Sequence, residues 1–115
     1  MLNGATVGTD NLIAALYDTG GNLIANSAVA GVLSAGANAF QEIAFTAATP
    51  PLAPGRYFLA VQCNGTTATT RRMAAADGGI AMASITAGTF GTVPSSFTVP
   101  TTFSAGASPI GYLYM

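Results

Sequence analysis

The sequence predicts an all-β fold, an antiparallel β-sandwich of jelly-roll type formed by residues 1–115 as one domain. Three observations predict it. Apolar and β-branched residues come in six or seven short runs. Glycine, proline, asparagine and aspartate separate those runs at intervals. No stretch carries a sustained helical period, so a sheet-on-sheet arrangement is the remaining way to bury the runs. In a chain of 115 residues, such a sandwich buries about two-thirds of its extended surface.

The elements follow in order. Residues 11–17, Asn-Leu-Ile-Ala-Ala-Leu-Tyr, form a compact apolar strand that ends at Asp18-Thr-Gly-Gly-Asn22. Aspartate, paired glycines and asparagine supply side-chain capping and positive φ, as a hairpin loop requires. The return arm is 23–28. Between 28 and 38, Gly31 and Gly36 argue against a helix despite the alanines. Residues 39–46 read as a strand with Ile43 and Phe45 on one face, and with Phe40 opposite unless a bulge near Gln41-Glu42 restores it. Pro50, Pro51 and Pro54 make 49–55 a surface connection.

Residues 56–63 carry the clearest alternation: Tyr57, Leu59, Val61 and Cys63 against Arg56, Phe58, Ala60 and Gln62. The first set is expected to face the interior. Asn64-Gly65 is the preferred dipeptide of a type I′ turn, which predicts a hairpin returning through the Thr-rich strand 66–72. It also explains the Asn64-Gly65-Thr66 sequon without glycosylation. Ala74-Ala75-Ala76-Asp77 can start a helical turn that Gly78-Gly79 ends, and 80–85 is a short strand. Shorter pieces lie around Phe90, at 97–99 and at 112–114. The expected core draws on Leu12, Leu16, Leu23, Ile43, Phe45, Tyr57, Leu59 and Val61, each contributing roughly 1.5–3 kcal/mol when fully buried.

Composition narrows function. The only charges are Asp10, Asp18, Glu42 and Asp77 against Arg56, Arg71 and Arg72, 6% of the chain with a formal net charge of -1, where soluble domains carry about 25%. Three arginines make no nucleic-acid footprint. With mean hydropathy +0.51 the chain is not of the disordered type. It has no histidine, the usual general base at neutral pH. The acids are scattered, and Asp18 and Asp77 stand beside glycines as turn caps. No catalytic residue is expected, and no cofactor. Asp10 and Asp18 lack the Asp-x-Asp-x-Asp spacing of a calcium loop, so no metal is expected. Cys63, the only cysteine, excludes an internal disulfide and reads as a buried, inert thiol. The uncharged stretch 19–41 is broken by asparagines and glycines, so no membrane span is expected.

So few charges in a soluble chain imply a surface covered by neighbours, as in a subunit of an assembly. Arg71 and Arg72, adjacent on a strand, point to opposite faces. One of them pairs with Glu42, inside the fold or across a subunit boundary, or the pair is a solvated strand end. Tyr112 and Tyr114 either close the last strand or dock on a neighbour. These four residues are the candidate interface. Tyr17, Tyr57, Phe58, Tyr112 and Tyr114 are the aromatics open to a glycan, although three of them fall in strand patterns that suggest packing.

Several segments carry a family resemblance: Asn3-Gly-Ala-Thr-Val-Gly-Thr-Asp10, Leu16-Tyr-Asp18, Gly21-Asn-Leu23, Asn26-Ser-Ala-Val-Ala-Gly31, Phe40-Gln-Glu-Ile-Ala-Phe45, Pro54-Gly-Arg-Tyr-Phe58, Gln62-Cys-Asn-Gly-Thr66 and Ser108-Pro-Ile-Gly-Tyr-Leu-Tyr114. Over nearly its whole length the chain resembles a β-sandwich module of tailed-bacteriophage virion structural proteins. The resemblance implies a non-enzymatic structural protein of the virion: a capsid decoration, or a fibre or tail component. It implies partners that are copies of the chain, packed three-fold, and a larger virion protein such as the major capsid or a tail protein. It also implies a further strand before Asn3, lacking here or borrowed from a neighbour. The alternative is a glycan-binding or host-adhesion module. An enzyme accessory domain is a third reading.

Overall fold

A computed structural model describes residues 1–74, 88–101, 107–109 and 111–113, and in these the only regular elements are β-strands. They are β1 (Asn11–Tyr17), β2 (Leu23–Asn26), β3 (Val32–Leu33), β4 (Phe58–Cys63), β5 (Arg72–Ala74) and β6 (Ala107–Pro109). Every pairing is antiparallel. The all-β expectation therefore holds, and β1 organises it. β4 runs along one edge of β1, from Leu12↔Cys63 to Tyr17↔Phe58. The opposite edge is shared by β2, at Ala15 to Tyr17, and by β3, at Asn11 and Leu12. A central strand is covered on both faces, which explains an apolar run that does not alternate. All of residues 12–17 are buried, and Ile13 is 1% exposed.

The first hairpin forms as expected. Asp18 Oδ1 accepts the backbone N–H groups of Gly20 and Asn22 at 2.9 and 2.8 Å. Gly21 sits at φ 82°. There an added Cβ would meet the Phe97 carbonyl oxygen and lie 3.2 Å from the Val99 side chain. Residues 95–97 dock along this loop, with Leu23 N–H donating to Ser95 O and Phe97 N–H to Gly21 O. That places Phe97 edge-on to Tyr17 at 4.9 Å and to Phe58 at 5.7 Å between ring centroids. The Tyr17 hydroxyl donates to Pro94 O at 3.0 Å.

The second hairpin does not form. β4 pairs with β1, not with 66–72, and neither Asn64 nor Gly65 adopts the positive φ of a type I′ turn. Pairing with β1 leaves the other edge of β4 open to a return arm, so the hairpin is lost because the amides of that arm are taken elsewhere, Thr69 N–H by Thr6 O at 3.0 Å. Asp10, 6% exposed, secures the alternative path: its Oδ2 accepts the Thr67 and Ala68 N–H groups at 2.8 and 2.6 Å. Gly65 is required because it passes over this carboxylate, where a Cβ would lie 2.7 Å from Asp10 Cγ.

Beyond Thr69 the chain joins a small ladder around residues 1–4. Asn3 N–H donates to Ala39 O, Gly4 N–H to Thr69 O, Arg71 N–H to Leu2 O, and Gln41 N–H to Met1 O. The expected strand 39–46 is reduced to two isolated bridges, Phe40 with Leu2 and Phe45 with Ser27. β5 and β6 form a separate pair from Arg72↔Pro109 to Ala74↔Ala107. The expected helical turn at 74–77, apart from Ala74 in β5, and the strand 80–85 lie outside the described residues. The pieces around Phe90 and at 97–99 are not strands.

The core is smaller than expected. Leu12 and Leu16 are buried, but Leu23, Ile43, Phe45 and Tyr57 are half-buried, and Leu59 and Val61 are exposed. Alternation separated the two faces of β4 correctly and assigned them the wrong way round. Phe58, Ala60 and Gln62 carry the better covered face, against Phe97 and Thr92, whose carbonyl accepts from Gln62 Nε2 at 3.0 Å. Cys63 follows Leu59 and Val61 into the exposed set.

Candidate binding groove

Registered partners in a sheet share a face, so Ala14, Leu59 and Val61 lie together on the side away from Phe97. They form the floor of a groove of about 380 Å³. Phe40, Ile43 and Phe45 form one wall, and Tyr112 and Leu113 form the rim. All three residues of the wall reach the groove because 41–44 is irregular between its two bridges. Departure from regular pleating therefore brings Phe40 to the side of Ile43 and Phe45.

The groove wall is held by main-chain and amide hydrogen bonds. Gln41 anchors the wall: its Oε1 accepts Asn3 Nδ2 at 2.9 Å and Ala35 N–H at 3.0 Å, and its Nε2 donates to Leu33 O at 2.9 Å. The Met1 ammonium donates to Gln41 O at 2.8 Å, and its burial lowers its pKa below the ordinary 8.0. Among the described residues, Glu42 is the only charged side chain lining the groove. Five large apolar residues here stay partly open to solvent: Phe40, Leu59, Val61, Tyr112 and Leu113. Tyr112 leans edge-on against Phe40, with ring centroids 5.2 Å apart.

Such a surface holds apolar side chains by releasing water, at about 25 cal/mol per Å² covered. Among the described residues, no three Cys, Asp or Glu side chains cluster as metal ligands would. Asp18 is committed to its turn, where hydrogen bonds from the Asn22 side chain and backbone hold its carboxyl below the ordinary value. Cys63 Sγ lies 3.8 Å from Asp10 Oδ2, a carboxylate already engaged by two amides.

Of the four candidate interface residues, the side chains of Arg71 and Tyr112 are described. Tyr112 reaches the groove. It closes no strand, since 111–113 is irregular. Tyr114 lies outside the described residues. Arg71 is exposed and donates from Nη2 to Asn38 Oδ1 at 2.6 Å, so its partner within the chain is Asn38. Arg72 contributes its backbone to β5. Sequence reasoning missed Leu59 and Val61 as surface residues because it placed the larger face of β4 inside. It missed the role of Asp10 because no local pattern marks a carboxylate that serves amides nearly 60 residues away. Among known proteins, no family model, no curated protein and no solved structure matches the chain.

Proposed function

We propose that this chain is a non-enzymatic structural protein of a bacteriophage virion, a capsid decoration or a fibre or tail component. Its fold is a β-sandwich of jelly-roll type, and it works by packing against copies of itself and against a larger virion protein. The observation that carries the proposal is the open, nearly uncharged groove of Phe40, Leu59, Val61, Tyr112 and Leu113 on a chain with four acids and three arginines. A surface of this kind associates with little ionic desolvation to overcome. The phage setting is supported by the resemblance of the segments quoted above. Glycan binding is less favoured, since Phe40 and Tyr112 meet edge-on and the Gln41 amide is engaged by Asn3, Ala35 and Leu33.

The test is sedimentation of the purified protein across a concentration series, followed by co-sedimentation with phage particles lacking it. Self-association together with saturable particle binding is expected. A protein that stays monomeric and ignores particles sinks the reading. Binding on a glycan array with neither of those properties transfers it to the adhesion class.

A further inference from the structure

Resting on that reading of an assembly subunit, a second feature says how two copies meet. The hydrogen-bond parity of β4 can be derived from its neighbours. Asn64 N–H donates to Asn11 O at 3.2 Å, and Asn11 N–H to Asn64 Oδ1 at 2.8 Å, which gives Asn11 and Asn64 the parity of a bonded pair. Bonded and non-bonded pairs alternate along an antiparallel ladder, so Phe58, Ala60 and Gln62 address β1. Leu59, Val61 and Cys63 turn their N–H and C=O groups outward. The other edge of β1 gives the same parity independently. Ala14, opposite Val61, accepts from Ser27 N–H at 2.8 Å and donates to Ser27 Oγ at 2.9 Å, both away from β4.

Among the described residues, nothing is hydrogen-bonded to those outward groups of β4. The strand Phe-Leu-Ala-Val-Gln-Cys contains no charge, no proline and no recorded bulge, the devices that ordinarily blunt an edge. The residues with outward main-chain groups are also those with exposed side chains: Leu59 at 45%, Val61 at 37%, and Cys63.

We propose that the outer edge of β4 is a homotypic interface, at which two copies continue the sheet by antiparallel β4–β4 pairing about a twofold axis through Val61. The register follows from parity. Outward groups must face outward groups, and Val61 opposite Val61 with Leu59 opposite Cys63 uses all three residues of each copy. One-step slips leave groups unpaired. Self-pairing brings no like charges together within the strand. Strand pairing alone covers less than the roughly 1,200–2,000 Å² of a standard interface. Leu59 and Val61 continue the buried area into the adjoining groove, which they also line. A self-complementary edge gives an isologous, twofold contact, in place of the three-fold packing implied by the resemblance.

The experiment is cysteine cross-linking of the full chain, read by non-reducing electrophoresis. In the proposed register the two Cys63 residues are displaced by four positions, about 13 Å at ~3.3 Å per residue, too far for a disulfide. Val61→Cys in a Cys63→Ser background is expected to give a covalent dimer on mild oxidation. Leu59→Cys with Cys63 retained is expected to do the same, and the unsubstituted chain is not. Val61→Pro removes an outward donor and leaves the β1–β4 ladder intact, so it is expected to sediment as a folded monomer. If the unsubstituted chain associates but neither cysteine variant cross-links, the pairing is overturned and the assembly reading stands. A monomer that still coats particles has the same consequence. A monomer that binds no particle overturns both.

Discussion

Replacing Asp10 with alanine removes the acceptor that holds the 64–68 turn against the start of β1. The carboxylate is 6% exposed and its Oδ2 takes two backbone N–H groups at 2.8 and 2.6 Å. Hydrogen bonds to a charged acceptor contribute roughly 1.5–3 kcal/mol each. Thr67 is exposed and Ala68 only half-buried, so water recovers part of the loss. The expected destabilisation is about 3 kcal/mol, a large share of the roughly 5–15 kcal/mol that holds a domain together. Urea denaturation followed by far-ultraviolet circular dichroism measures it. The melting midpoint should fall by about 12 °C, at ~4 °C per kcal/mol for a chain of this size. Asp10→Asn keeps an acceptor and should lose about half as much. Gly65→Ala gives an independent check. Its Cβ would crowd Asp10 Cγ at 2.7 Å, and overpacking of this kind costs roughly 1–3 kcal/mol. In an Asp10→Ala background that penalty should largely vanish, because the group it collides with is gone, giving a non-additive double-mutant cycle. A loss below about 0.5 kcal/mol for Asp10→Ala, within the range of a neutral surface change, refutes the clamp. So does strict additivity with Gly65→Ala.

Tyr17→Phe should lower stability by about 1 kcal/mol through the hydrogen bond to Pro94 O, measured by the same denaturation. Burial raises the Tyr17 phenol above its ordinary 10.0. The unfolded chain therefore ionises first, and the stability complete below pH 10 declines as pH rises through the folded value; Tyr17→Phe should lack that decline. The depressed carboxyl of Asp18 has the opposite sign. Its contribution is complete above the ordinary 3.8 and disappears as pH falls through the lowered value, which a carbon-detected NMR titration of its carboxyl group follows. Leu59→Lys, on an exposed face, should move stability by only about 0.5 kcal/mol and abolish self-association in sedimentation.

Residue types and their order were enough to identify an antiparallel all-β chain. They also located β1, with its Asp18–Asn22 hairpin, and the span of β4 to within two residues. These features depend on contacts between residues close in sequence or on alternation within one strand, and both are written in a local window. Which partner β4 would choose was not. Asn64-Gly65 argued for a neighbour in sequence, whereas β4 pairs with a strand about 50 residues earlier, and the expected return arm gives its amides to Asp10 and Thr6 instead. Alternation likewise divides a strand into two faces without saying which is covered. Only the docking of Phe97 against Tyr17 and Phe58 decided that Leu59, Val61 and Cys63 look outward. That decision turned an expected core into the floor of a groove and the edge of a sheet, because burial is a property of what arrives from elsewhere in the chain.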